Sequence, residues 1–117
     1  MSEALKISVD QLMVFMDAYA DHEVTGSLTR NGMPLEGKVG FMVNTPDNVV
    51  TVKDCNNISS GKDGVFKFVL QSEYEYYGKR PHGAPKTEQR TVHCIYCYNG
   101  TDTVGVAIQV NVKPSPI

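Results

Sequence analysis

Hydrophobic residues recur at every second position along much of this chain. Val39, Phe41 and Val43 alternate with Lys38, Gly40 and Met42, and Phe66, Phe68 and Leu70 alternate with Val65, Lys67 and Val69. The cleanest run is Val104, Val106, Ile108, Val110 and Val112, interleaved with Gly105, Ala107, Gln109 and Asn111. A period of two sends successive side chains to opposite faces of a strand, so each run predicts a strand with one face in a core and the other in solvent. Turn signals separate the runs: Asn31-Gly32, Pro46-Asp47-Asn48, Gly61-Lys62-Asp63-Gly64 and Asn99-Gly100. These residues tolerate positive φ or preset a turn. Together the signals predict strands over roughly residues 5–9, 12–19, 23–30, 37–44, 49–53, 65–72, 91–98 and 103–112. One segment reads two ways, because Leu12, Met13, Met16 and Tyr19 within Val9 to Ala20 would also line one face of a helix. Many short strands joined by polar turns describe an all-β chain, an antiparallel β-sandwich of about seven to eight strands. Phe41, Phe66, Phe68, Val106 and Ile108 are expected in its core.

A length of 117 residues suits one ordinary domain. The expectation is a single sandwich over residues 1–117 with short N- and C-terminal tails. With 41% hydrophobic and 21% charged residues the chain has the composition of a globular protein. A net charge of -2 argues against general nucleic-acid binding, which calls for a basic face. No run approaches the roughly 20 apolar residues that cross a bilayer, so no membrane insertion is expected. The most apolar early stretch, Leu12 to Met16, lies among acidic residues without a basic leader, and no secretory signal is expected either.

The cysteines invite a chemical reading. Cys94 and Cys97 follow His93 as C-x-x-C, but their setting, TVHCIYCYN, is β-branched, aromatic and alternating. On a strand, residues three apart point to opposite faces about 10 Å apart, too far to hold one tetrahedral ion. Metal, redox and other cofactors are therefore not expected. With Cys55 as the third thiol, a reduced state is the simpler reading, while a disulfide from Cys55 to Cys94 or Cys97 stays open. No nucleophile elbow, Gly-rich phosphate loop, H-E-x-x-H or calcium loop occurs, and no enzyme is expected. Glu73 and Glu75 would sit about 7 Å apart on one strand face, a spacing a glycosidase could use, but solvated charges on an outer face account for them. Two Asn-x-Ser/Thr sequons, at Asn57 and Asn99, read as accidents without an export route, and Asn99-Gly100 as a hairpin turn.

The stretch DHEVTGSLTRNGMPLEGKVGFMV, followed by SSGKDGVFKFVLQS, resembles the bacterial Ig-like group 1 domain of invasin and intimin adhesins. Asn31, Gly32, Pro34, Gly37, Val39 and Phe41 match that family's first motif, and Gly61, Asp63 and Gly64 its later turn. The likeness covers roughly residues 17 to 112 and consists of turn glycines and alternating hydrophobics. It implies an Ig-like fold. Family modules usually stand in tandem behind a signal sequence, and a free-standing sandwich without one is similar instead to the accessory Ig-like proteins of tailed bacteriophages.

The least regular stretch is SEYEYYGKRPHGAPKTEQR, Ser72 to Arg90, where tyrosines alternate with glutamates before a basic, Pro- and Gly-rich segment. Between flanking strands, a connection from Tyr77 to Gln89 reaches the length at which functional loops are over-represented. Tyr and Arg are the side chains most enriched at interface centres, so Tyr74, Tyr76, Tyr77, Lys79, Arg80 and His82 are the candidate partner-binding residues. Lys79, Arg80, Lys86 and Arg90 make the stretch basic, which would complement an acidic surface. The function expected is a noncatalytic structural or binding module. Its first form is a bacteriophage virion accessory protein, head decoration or tail-associated, that sits on the virion surface and binds capsid or tail subunits or itself. An invasin-type adhesin at the cell surface and a carbohydrate-binding module that takes a cell-surface glycan are the alternatives.

Overall fold

The computed structural model describes residues 4–45, 47–73, 75–76, 87–113 and 115–116. They form β1 (Leu5–Val9), β2 (Met13–Asp17), β3 (Asp21–Arg30), β4 (Met33–Pro34), β5 (Gly40–Val43) and β6 (Val50–Val52). There follow a single 3-10 turn (Cys55–Asn57), β7 (Val65–Ser72), β8 (Glu75–Tyr76), β9 (Glu88–Tyr98), β10 (Asp102–Lys113) and β11 (Ser115–Pro116). No α-helix occurs among the described residues. One sheet runs β1-β3-β7-β6 with β4 paired to β3; the other runs β2-β10-β9-β5; β8 and β11 form a two-stranded ribbon.

The alternating runs all become strands because each buries one parity and wets the other. In β7 Phe66, Phe68 and Leu70 are buried, and in β10 Ile108, Val110 and Val112 are buried. Phe66 and Phe68 stack with ring centroids 6.0 Å apart, and Phe41 reaches Phe68 at 4.7 Å from across the sandwich. Two of the five expected core residues are only half-buried. Phe41 lies on edge strand β5, and Val106 lies toward the hairpin end of β10, where coverage thins. The hairpin turns form where expected. Asn31 and Gly32 both take positive φ (52° and 80°) between β3 and β4, and Asn99 and Gly100 do so (51° and 72°) between β9 and β10. Asn and Gly accept this left-handed geometry at least cost.

The ambiguous segment is a strand: Val14 and Met16 are buried and Met13 and Phe15 exposed, a period of two rather than 3.6. The sheets are antiparallel as expected in all but one of their pairings, the exception being β2, which runs parallel to β10 with Val14 opposite Val110 and Met16 opposite Val112. Residues 5 to 17 travel in one direction alongside β3. Leu5 pairs with Arg30 and Val9 with Gly26, and farther on the Gln11 side chain bonds His22 at 2.6 Å and the Glu23 carbonyl at 3.4 Å. The chain thus changes sheets after β1 without reversing, and β2 meets the last long strand head to head. β8 and β11 also pair in parallel.

Candidate functional site

Of the candidate partner-binding residues, Tyr74, Tyr77, Lys79, Arg80 and His82 lie outside the described residues, and Tyr76 is described in its backbone, which pairs with Pro116. Both roots of the Tyr-rich stretch are described. Ser72, only 3% exposed, ends β7. Its hydroxyl donates to the Asp17 carbonyl at 2.6 Å and accepts from the Ala20 N–H at 3.3 Å, and its own carbonyl accepts from the Tyr19 N–H at 2.9 Å. The turn from β2 into β3 is thereby tied to the place where the stretch begins. At the other root β9 starts at Glu88, within the segment expected to be loop.

Arg90 corrects the charge reading. Its guanidinium donates through Nε to Asp47 at 3.1 Å, through Nη2 to the other oxygen of the same carboxylate, and through Nη1 to Glu88 at 3.1 Å. The side chain is 12% exposed because its parity on β9 points inward. The Asp47 hydrogen bond holds the Arg90 pKa above its ordinary value, and the same bond lowers that of Asp47. This cation fastens Asp47 to β9.

The thiols divide as their spacing foretold. Cys94 is buried, and burial pushes its thiol up to about 12, whereas Cys97 is exposed on the opposite face. All three cysteines are free thiols. His93 is half-buried in β9, and Glu73 is exposed. Among the described residues no three His, Cys, Asp or Glu side chains gather as metal ligands would. Cys55 and Cys97 line one open hollow of about 490 Å³ beside β5, together with Lys38, Gly40, Met42 and Ile95.

The feature that sequence reasoning missed is a contrast between the two outer faces. Across the β1-β3-β7-β6 sheet, outward positions carry Lys6, Asp21, Glu23, Lys67 and, just beyond β6, Lys53, all exposed. The β2-β10-β9-β5 sheet differs. Its outward rows read Phe15-Asn111-Gln89, Met13-Gln109-Thr91, Ala107-His93-Met42 and Gly105-Ile95-Gly40. None of these side chains is an acid, lysine or arginine; charge stands at the ends, Asp17 and Lys113 at one and Lys38, two residues before Gly40, at the other. Phe15 is 71% exposed, Met42 57% and Met13 54%. The signal was present in β10, whose solvent positions Gly105, Ala107, Gln109 and Asn111 are uncharged, but grouping them with Phe15 and Met42 requires the strand order.

Among solved structures, the chain superposes over 95% of its length on "Crystal structure of the S-layer protein SbsC domains 4 and 5", at TM-score 0.60 and 17% identity, and spans 53% of that structure. It superposes over 96% of its length on domains 5-6 of the same S-layer protein, at TM-score 0.61 and 17% identity, spanning 45%. The periplasmic chaperone SfaE matches over 96% of the chain at TM-score 0.66 and 6% identity, with 60% of that structure covered. The chain thus spans about half of each of these two S-layer structures. At these identities the likeness is one of fold, an Ig-like β-sandwich. No protein-family model matches the sequence, and no curated protein does.

Proposed function

We propose that this chain is a noncatalytic structural module, one Ig-like domain over residues 1–117, that makes protein–protein contacts within a surface assembly. The observation that carries the reading is the uncharged outer face with Phe15, Met13 and Met42 exposed, opposite a face studded with charges. Uncharged faces with exposed aromatic and Met side chains suit interface cores, where charge is depleted, whereas charged faces suit solvent. The finer form of the proposal is a bacteriophage virion accessory protein, decorating heads or attached to tails, with Tyr74, Tyr76, Tyr77, Lys79, Arg80 and His82 as a second contact beside the sheet face.

The likeness to S-layer protein domains favours a second form, a cell-surface module of a protein lattice. Co-sedimentation separates the two. Saturable pelleting with phage heads or tails, weakened in a folded Tyr76→Ala/Tyr77→Ala/Arg80→Ala variant, supports the virion form and the loop contact together. Saturable retention on bacterial envelopes instead supports the cell-surface form. Binding to neither, with saturable binding to a defined glycan, would overturn the proposal in favour of a carbohydrate-binding module.

A further inference from the structure

We infer that the bare half of β10, Thr103 to Ala107, takes an extended segment of a partner protein as an added strand. The site is a sheet edge and does not depend on either outer face being a contact. Because the chain changes sheets between β1 and β2, it leaves half of each neighbouring strand without a strand beside it, the Asp21 end of β3 and the Asp102 end of β10. The two halves are treated differently. On β3 the Thr25 carbonyl accepts from the Asp10 N–H at 2.9 Å, the Thr25 N–H donates to Asp10 Oδ1 at 3.1 Å, and Gln11 Nε2 donates to the Glu23 carbonyl at 3.4 Å. On β10 the Gln109 N–H donates to the Leu12 carbonyl at 2.9 Å, and from there toward the hairpin nothing among the described residues pairs on that side.

Strand parity says which groups are left bare. Gln109 turns its N–H away from β9, and backbone groups alternate sides along a strand, so those of Thr103, Gly105 and Ala107 point the same way. Their N–H donors and C=O acceptors, set at strand spacing, match one ligand, another extended backbone. The side chains agree. Val104 and Val106 on the inner side are only half-buried, as are Leu5 and Val9 of β1, which packs beside β10 from the other sheet. Residues of an added strand opposite Val104 and Val106 would close over them, so the segment that fits carries apolar residues at two alternate positions. Natural edges are blunted by charge, proline or a covering segment, and edge strand β1 carries the exposed Lys6. Thr103 to Gln109 holds neither charge nor proline. Leu12 closes the slot at one end and the hairpin turn at the other, which leaves about five residues, roughly 17 Å. The added strand runs antiparallel to β10, the stabler pairing per residue.

The probe is a short peptide in which threonines alternate with two valines between terminal lysines, and amide exchange followed by NMR on the whole chain reads the site directly. Without peptide, the amides of Thr103, Gly105 and Ala107 should exchange at least about tenfold faster than those of Val104, Val106 and Ile108, which are bonded to β9. Peptide at about 1 mM should slow these edge amides severalfold. The same peptide N-methylated on its threonine amides, which face β10 in the antiparallel pairing, should bind at least about tenfold more weakly, whereas methylation of the valine amides should leave binding in place. In the chain, Ala107→Pro removes one edge N–H and leaves the bonds to β9 intact; edge strands accept proline where the N–H faces solvent, and the variant should lose at least about tenfold in affinity. Circular dichroism checks its fold, and the methylated peptides decide on the wild-type chain if it does not fold. Edge amides that the peptide leaves unslowed overturn the inference. So does equal binding of the two methylated peptides, or full binding by folded Ala107→Pro. Particle co-sedimentation reads the assembly proposal separately, so a chain that pellets saturably but leaves the peptide unbound overturns the edge inference alone.

Discussion

Replacing Ser72 with Ala tests whether one buried hydroxyl holds the junction between β2, β3 and the Tyr-rich stretch. The side chain is 3% exposed and serves two backbone groups of the 17–20 turn, the Asp17 carbonyl at 2.6 Å and the Ala20 N–H at 3.3 Å. That turn already carries a cost, since Tyr19 has φ of 58°, a left-handed conformation that costs a non-glycine residue about 1 kcal/mol. Alanine keeps the volume of the site nearly intact but leaves both backbone groups without this partner, in a place water reaches poorly. An orphaned buried group costs about 1–3 kcal/mol; with one short bond and one long one, the expected total is about 2 kcal/mol. At about 2.1 cal/mol/K per residue, 117 residues unfold with an entropy of roughly 250 cal/mol/K, so 2 kcal/mol lowers Tm by about 8 °C. Thermal unfolding of Ser72→Ala followed by circular dichroism measures this, with the exposed Ser59→Ala as control. A fall of less than about 2 °C, or an equal fall in the control, would refute the reasoning.

Two further predictions concern packing and charge. A Cβ added at Gly26 would lie 2.2 Å from Cζ of the Phe66 ring, its partner in register on β7, so Gly26→Ala should destabilise by about 1–3 kcal/mol despite alanine's entropic advantage in a strand. The urea midpoint should drop, and the additional change Phe66→Leu should cost less in that background than in wild type; additive costs would reject the contact. Asp47 binds its proton less tightly in the folded than in the unfolded chain, because Arg90 hydrogen-bonds its carboxylate. Its contribution is therefore complete above the unfolded carboxyl pKa of about 3.9 and is lost as pH falls through the lower folded value. The group is partly exposed, so the wild-type advantage over Asp47→Asn should be no more than about 1 kcal/mol at pH 7 and should fade below about pH 4; a gap independent of pH would reject the ion pair as its source.

Alternation along the chain was enough to place the strands, because burial of one parity is what a strand of a sandwich must achieve. The runs at Phe66 to Leu70 and Ile108 to Val112 became core, and the Asn-Gly pairs became turns. Direction was not legible. Nothing in the order of Met13 to Asp17 says that the segment will lie parallel to β10, since a period of two is the same read either way. Nor were the partners of Arg90 legible, Asp47 from a distant segment and Glu88 from its own strand; with the strand expected to start at Thr91, the sequence shows a basic residue in a basic stretch, while the fold turns it inward onto two carboxylates.

The contrast between outer faces has the same origin. Strand β10 reads as half-buried with polar alternate positions, and so does β7, and the two look alike until the content of those positions is compared across the sheet. Beside β7, exposed positions gain Glu23 and Lys53 from its neighbours; beside β10 they gain Phe15, Met13 and, one strand farther, Met42. Charged outer positions blunt a sheet against association, and a sandwich that only had to stay soluble would carry them on both sides. Here one sheet has them and the other does not. The asymmetry is what the proposed contact surface on the sheet that contains β2 would require.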